Sequence, residues 1–173
     1  MKLNVGCSWP GGRYKASEWI NLDIVENERV NVVGSVLDLP FKTNSIDEIH
    51  CIHVLEHLTR DKYSVALREM WRVLKPGAFA YIETPDFKKV VDCLAQSFHT
   101  GDLERIHVWT TSIYGKNERD GMAHHWGFYE GLLRREMRLQ GFIDVVTLTT
   151  VEELEVIPSR YKHEPVLSVR GSK

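Results

Sequence analysis

The chain has 173 residues, of which 43% are hydrophobic, and its 22 Lys and Arg residues nearly balance 24 Asp and Glu residues. This length predicts a single domain over residues 1–173 with room for a substantial core. The formal net charge of −2 leaves no basic surplus, so we expect no nucleic-acid partner. No apolar run approaches the roughly 20 residues that cross a bilayer, and the N-terminal pattern is not that of a signal peptide. We therefore expect a cytoplasmic protein without a membrane span.

The cysteines do not form a framework. The chain has an odd number of cysteines, and none of the three forms a C-x-x-C pair with another: Cys7, Cys51 and Cys93. A disulfide scaffold or a cysteine-rich zinc site is therefore not expected, and the three side chains are predicted to be reduced thiols.

Short apolar runs bounded by turn residues predict the first strands. These runs cover residues 3–5, 19–24, 31–37 and 46–54. From residue 63 to residue 74 the apolar positions repeat at helical spacing, and Lys75-Pro76-Gly77 is a typical helix stop. A strand over 78–84 and a helix over 87–98 that is capped by Asp86 follow.

The second half of the chain begins with a segment whose apolar residues show no clear helical or strand periodicity. Residues 99–127 are rich in Gly, His, Trp and Asn, which predicts a loop-rich insertion over the scaffold. A helix over 129–140 and strands over 142–148 and 166–170 complete the order of elements. Alternating strands and helices predict an α/β fold, a Rossmann-like three-layer sandwich with a mostly parallel sheet and an antiparallel edge hairpin. Such a sheet binds ligands at the carboxyl ends of its strands.

The first strand and its loop indicate a nucleoside ligand. The string LNVGCS places a glycine turn after the first strand, and INLDI ends the second strand with Asp23. A backbone turn can approach a ligand closely, while a carboxylate at the neighbouring strand end can accept from both ribose hydroxyls. The full G-x-G-x-x-G pattern is missing and the first crossover is short, so an NAD-linked oxidoreductase is the less favoured alternative.

Four strings in this order extend the pattern: LNVGCS, INLDI, VVGSVLDLPFKTNSIDEIHCIHVLEHL and ALREMWRVLKPGAFAYIETPD. Together they resemble the class I S-adenosylmethionine-dependent methyltransferases, in particular the type-11 branch. The resemblance covers about residues 3–86, with a weaker echo over 121–146. It implies a seven-stranded sheet of order 3-2-1-4-5-7-6. It also implies methyl transfer from S-adenosylmethionine to the oxygen or nitrogen of a small acceptor, such as a sugar-like molecule, with S-adenosylhomocysteine as product.

The resemblance further implies a set of cofactor-binding residues. Gly6, Cys7 and Ser8 would flank the methionine and ribose, and Asp23 would hold the ribose hydroxyls. Ile24 would pack on the adenine, and Ser35 and Val36 would meet the adenine edge. The backbone from Cys51 to His53 would face the cofactor's amino group.

Two positions depart from the family pattern. The family usually has a second glycine where this chain has Ser8, and an acid where it has Ser35. Loss of one charge-assisted acceptor weakens binding by about 1.5–3 kcal/mol. A noncatalytic methyltransferase-like scaffold with weak or lost cofactor binding is therefore the alternative function. The chain starts at the first strand, so we expect a pocket that is open or completed by a partner subunit, and a homo-oligomer is one such arrangement.

Two histidine-containing motifs offer further chemistry. Residues 53–57 spell H-x-x-E-H, a pattern of one group of zinc peptidases. That motif belongs inside a helix, whereas here it follows an apolar strand, so we expect no metal. His124 and His125 lie at the end of the predicted insertion, and either imidazole could be the general base that removes the acceptor's proton.

Overall fold

The fold is built on a central sheet of seven strands, and strands alternate with helices only in the middle of the described chain. The computed structural model describes residues 1–7, 18–116, 121–148 and 165–173. The strands are β1 (Lys2–Val5), β2 (Trp19–Asp23), β3 (Val32–Val33), β4 (Ile46–Ile52), β5 (Leu74–Pro85), β6 (Ile143–Thr147) and β7 (Val166–Ser172). The helices are α1 (Arg60–Val73), α2 (Phe87–Thr100), α3 (Leu103–Tyr114) and α4 (Glu130–Leu139), and a 3-10 turn spans Leu55–His57.

The sheet has the predicted order, β3-β2-β1-β4-β5-β7-β6. The pairs from β3 to β5 are parallel, while β7 pairs antiparallel with both β5 and β6. The carboxyl ends of β1, β2, β3 and β4 therefore meet at one edge. The predicted fold class is confirmed, including the antiparallel strands at one side of the sheet.

The apolar core lies on one face of the central strands, because the register of strand pairing places the members of the hydrophobic cluster on that face. Leu3, Ile49 and Ile82, from β1, β4 and β5, are fully buried. Helix α1 buries the predicted stripe through Leu67 and Met70, because its apolar residues recur every three or four positions. Burial of this stripe fixes α1 against the sheet. The chain then continues directly from α1 into β5.

Asp86 begins α2 as predicted, since its carboxylate accepts from the Lys89 N–H at 3.3 Å. Gly101 ends the helix in the left-handed conformation, with φ of 68°. Both features follow from general rules for helix caps.

The prediction of a loop over all of 99–127 is wrong for α3, which occupies Leu103–Tyr114. Asp102 caps this helix by accepting from the Arg105 N–H at 3.0 Å. None of its residues is fully buried, and it contains several β-branched residues, which are weaker helix formers. Without a buried apolar stripe, this segment shows no clear helical period in the sequence.

The remaining predicted boundaries need smaller changes. The third strand shrinks from 31–37 to Val32–Val33, because the chain turns between Ser35 and Asp38, which form an isolated bridge. Among the helices of the described ranges, none is long and apolar enough to cross a membrane.

Candidate functional site

Gly6 brings the loop after β1 against the exit of β4. Its φ is 80°, and its N–H donates to the Leu22 carbonyl at 2.9 Å. A Cβ added at Gly6 would lie 2.2 Å from Cγ2 of Val54. Both the backbone conformation and the available space therefore require glycine at this position.

Asp23 ends β2 beside that loop. The residue is only 8% exposed, and one carboxylate oxygen accepts from the Val25 N–H at 3.0 Å. Its carbonyl accepts from the Gly34 N–H at 2.9 Å, which links β2 to the turn after β3. The Asp23 carboxylate is thus held in a fixed position at the carboxyl edge of the sheet.

Cys7 is a buried neighbour of Asp23. Burial, with a contribution from the Asp23 charge, raises the pKa of the Cys7 thiol to about 11. Cys7 is therefore protonated near pH 7, and its thiol is a poor nucleophile. Ser8, the third residue of the predicted turn, lies outside the described residues.

Two apolar side chains near Asp23 are exposed to solvent. Ile24, which directly follows β2, is 68% exposed, and Val33, the last residue of β3, is 56% exposed. Val33 pairs directly with Asp23. Exposed apolar surface at such an edge gains stability when a flat apolar ligand covers it.

The turn after β3 holds Ser35 and Val36. The Ser35 hydroxyl accepts from the Leu37 N–H at 3.1 Å, while Val36 is buried. The next residues are attached to α1, because Arg72 donates to the carbonyls of Leu39 and Phe41 at 2.9 and 2.8 Å. This attachment keeps the turn beside the ends of β2 and β3.

The exit of β4 contains a strained residue. His53 has a φ of 53°, which is uncommon for a residue with a side chain, and its N–H donates to the Glu83 carbonyl at 2.9 Å. Its Nδ1 lies 2.9 Å from Oε1 of Glu56, and its Nε2 lies 3.5 Å from Oε1 of Glu83. The imidazole is therefore held between two buried carboxylates.

These contacts determine the charge of His53. Burial alone lowers the pKa of the imidazole, but the hydrogen bonds and charges of Glu56 and Glu83 outweigh it and raise that pKa to about 10. His53 is therefore an imidazolium near pH 7. Cys51, two residues earlier, is fully buried, and burial raises the pKa of its thiol far above the ordinary value.

Glu56 lies at the centre of the exit turn. Its side chain is buried, and its pKa is lowered because the hydrogen bond from His53 and the nearby His57 and His124 outweigh the effect of burial. Its carbonyl accepts from the N–H groups of both His125 and Trp126, at 2.8 and 3.2 Å. The chain around residues 124–126 is thereby fixed to the exit of β4.

The two predicted histidine bases occupy different environments. His124 is half-buried, its Nδ1 donates to the Ser112 carbonyl at 2.8 Å, and its ring contacts the ring of His57 at a centroid distance of 4.8 Å. The side chain of His125 is exposed. A small pocket is lined by Glu56, Phe87, Ser112, His124, Trp126 and Gly127. His124, but not His125, is among the residues that line it.

Sequence reasoning missed Glu83, whose carboxylate is buried in β5. The Tyr81 hydroxyl donates to its Oε2 at 2.6 Å, and the Ser168 hydroxyl donates to the same oxygen at 3.4 Å. The only signal was a single acid inside the apolar strand pattern of residues 78–84. A buried acid in such a strand requires a partner, and here His53 and Tyr81 supply it.

The chain is similar to known proteins in part of its sequence and in its fold. The family model described as "Methyltransferase domain", of type 11, matches residues 13–82. An uncharacterised protein of Methanocaldococcus jannaschii is 35% identical over 85 residues. That alignment covers 43% of this chain and 36% of the relative, so the chain matches about a third of the length of that protein.

Solved structures share the fold at low identity. A SAM-dependent methyltransferase from Archaeoglobus fulgidus has a TM-score of 0.66 at 14% identity, with 99% of this chain and 85% of that chain covered. The 1,6-didemethyltoxoflavin-N1-methyltransferase of Burkholderia thailandensis, crystallised with 1,6-didemethyltoxoflavin and S-adenosylhomocysteine, has a TM-score of 0.61 at 15% identity. Its alignment covers 99% of this chain and 70% of that chain.

Proposed function

We propose that this chain, whose residues 13–82 match the type-11 methyltransferase family model and whose fold is similar to that of a solved SAM-dependent methyltransferase, transfers a methyl group from S-adenosylmethionine to an oxygen or nitrogen of a small acceptor molecule. The observation that carries the proposal is the arrangement at the strand ends. A buried carboxylate, Asp23, stands beside the exposed apolar side chains of Ile24 and Val33. A nucleoside needs both features, a carboxylate for its ribose hydroxyls and an apolar surface for its base.

The residues at this edge fit the cofactor, with a distinct task for each. Asp23 would accept from the ribose hydroxyls, and Ile24 would cover one face of the adenine. Gly6 and Cys7 would pass beside the methionine and ribose, because the glycine leaves no side chain in the narrow space near Val54. Val36, Ser35 and the backbone from Cys51 to His53 would complete the site at the adenine edge and the amino group.

The chemistry demands little from the side chains beyond positioning. When bound, S-adenosylmethionine supplies a methyl group that its sulfonium has already activated. The protein must align the acceptor, exclude water and accept one proton. We propose that one of the two neighbouring histidines, His124 at the pocket or the exposed His125, accepts that proton.

The test of the cofactor site is the substitution Asp23→Ala. Each charge-assisted hydrogen bond to the ribose is worth about 1.5–3 kcal/mol, so S-adenosylhomocysteine affinity should fall at least about tenfold. Isothermal titration calorimetry of both proteins measures the change. Asp92→Ala is the matched control, because Asp92 lies on the exposed side of α2 and pairs with Lys88. Equal affinity of Asp23→Ala and the wild type would contradict the assignment.

One observation favours a second candidate, a noncatalytic scaffold with the same fold. The position where the family usually has an adenine-binding acid holds Ser35, whose hydroxyl already accepts from the Leu37 N–H. A chain with this change could keep the fold and bind the cofactor weakly or not at all. The same calorimetric titration distinguishes the two candidates, because the scaffold would show no binding by the wild type.

A further inference from the structure

Three side chains that the cofactor site does not use meet at the exit of β4. Glu56 and His57 come from the 3-10 turn, and His124 comes from the segment after α3. One carboxylate oxygen of Glu56 and one ring nitrogen of each histidine all lie within 4.8 Å of one another. We call these three residues the Glu-His-His cluster.

The two histidine rings are fixed in the same way. The Nδ1–H of His57 donates to the Ala123 carbonyl at 3.1 Å, and the Nδ1–H of His124 donates to the Ser112 carbonyl at 2.8 Å. A carbonyl only accepts, so each Nδ1 carries a proton, and in the neutral form of each ring the lone pair is on Nε2. Histidines that bind metals are usually held by such a bond from the other ring nitrogen.

The carboxylate of the cluster is buried and incompletely paired. Glu56 is 2% exposed, and its Oε1 receives the hydrogen bond from His53. Its Oε2 is shielded from solvent and has no hydrogen-bond partner among the described residues. A buried charged oxygen without a partner is costly, and a bound cation would remove that cost.

We propose that the Glu-His-His cluster binds a divalent cation of the zinc type. Two imidazole nitrogens and one carboxylate oxygen are ligands that Zn²⁺ accepts, and three protein ligands leave one coordination position open. Glu56 and His124 also line the small pocket to which Trp126 contributes. Zinc bonds are about 2.0–2.2 Å long, which places two ligands of a tetrahedral ion about 3.3–3.6 Å apart, so the widest-spaced donors move about 1 Å closer when the ion binds.

This site differs from the peptidase arrangement of the H-x-x-E-H motif. In that arrangement both histidines of the motif bind the metal. Here His53 is held between Glu56 and Glu83, and His124 takes its place as the second nitrogen ligand. The sequence-based expectation of no metal weighed the peptidase arrangement, in which the motif lies in a helix and a third ligand comes from another helix, and it did not consider His124 as a ligand.

None of the ligands of this site is assigned to the cofactor, but the site shares His124 with the proposed methyl transfer. The open coordination position would take a water molecule or a hydroxyl group. With the lone pair of His124 engaged by the ion, His125 would remain to accept the acceptor's proton.

The test is calorimetric titration of the full chain with ZnCl₂ after treatment with a chelator and its removal. His57→Asn and His124→Asn are the informative variants, because an asparagine amide can replace the Nδ1–H donor but offers no ligand at Nε2. The wild type should bind one Zn²⁺ per chain, and each variant should bind at least about tenfold more weakly. His99→Asn, at an exposed position of α2, is the control and should bind as the wild type does.

Absence of Zn²⁺ binding by the wild type would overturn the proposal, as would unchanged binding by both cluster variants. Circular dichroism in the presence of chelator establishes whether the variants are folded. If an asparagine variant is unfolded, the absorption spectrum of the wild type with Co²⁺ shows whether the ion is bound by protein ligands. Intense visible bands of a four- or five-coordinate ion support the site, and the weak spectrum of the hydrated ion contradicts it. S-adenosylhomocysteine binding is measured separately, so the failure of either proposal can be recognised.

Discussion

Gly6 illustrates how a single residue can position a binding edge. With φ of 80° and Cγ2 of Val54 only 2.2 Å from an added Cβ, the position combines a conformational and a spatial requirement. The sequence predicts a glycine turn here, because a short strand ends directly at Gly6. The space beside Val54 could not be predicted, since it depends on how closely β4 follows β1.

Gly6→Ala should therefore cost more stability than an ordinary glycine substitution. The left-handed backbone costs alanine about 1–2 kcal/mol, and the overlap with Val54 adds about 1–3 kcal/mol. Urea unfolding measures the sum. Gly77→Ala is the matched control, because Gly77 has φ of 81° but no atom within 4 Å of an added Cβ. Equal losses in the two variants would mean that the contact with Val54 does not restrict the site.

Ser35 allows the cofactor assignment to be tested by a gain of affinity. Ser35→Asp restores the acid that the family usually has at this position. A carboxylate that accepts from the adenine amino group should strengthen S-adenosylhomocysteine binding about tenfold to a hundredfold. Competition calorimetry measures the difference, with Ser45→Asp as a control on the loop before β4. Unchanged affinity of Ser35→Asp would indicate that the adenine does not lie beside this turn.

At the scale of elements, the exit of β4 determines a pH dependence of stability. His53 has a pKa of about 10 in the folded chain against 6.5 as the ordinary value. Its stabilising contribution is therefore complete below pH 6.5 and declines as the pH rises toward 10. The pKa of Glu56 is lowered from 4.5, so its contribution is present above that value and is lost as the pH falls. The pair stabilises most between about pH 4.5 and 6.5.

His53→Gln should remove the alkaline part of this dependence. Breaking a buried pair costs about 3–5 kcal/mol, so the variant should be less stable than the wild type at pH 6. The difference between the two proteins should shrink as the pH rises to 10. Urea unfolding at several pH values measures it, and His107→Gln, on the exposed side of α3, is the control. A difference that stays constant with pH would show that His53 is not charged in the folded chain.

The sequence predicts those elements that have a buried stripe and misses those that do not. Helix α1 is correctly predicted because its apolar residues recur with the helical period and pack on the sheet. Helix α3 is missed because none of its residues is fully buried. The Glu-His-His cluster is missed for another reason, since the meeting of Glu56 with His124 depends on a backbone contact between distant segments. The sequence motif contains only two of its three members.

At the scale of the whole molecule, the order of the strands brings the proposed site together. The parallel pairing of β3, β2, β1 and β4 places the carboxyl ends of these strands at one edge, and the sequence predicts this correctly. Gly6, Asp23 and His53 come from separate parts of the chain and follow three of those strands. The extension of a single domain over residues 1–173 stays a prediction.

Titration of the wild-type chain with S-adenosylhomocysteine tests the central claim most directly, because it requires no knowledge of the acceptor. We expect binding of one molecule per chain with a micromolar dissociation constant, equivalent to about −8 kcal/mol. Absence of heat at millimolar ligand, at two temperatures so that a small enthalpy is not overlooked, would contradict the enzyme and leave the noncatalytic scaffold.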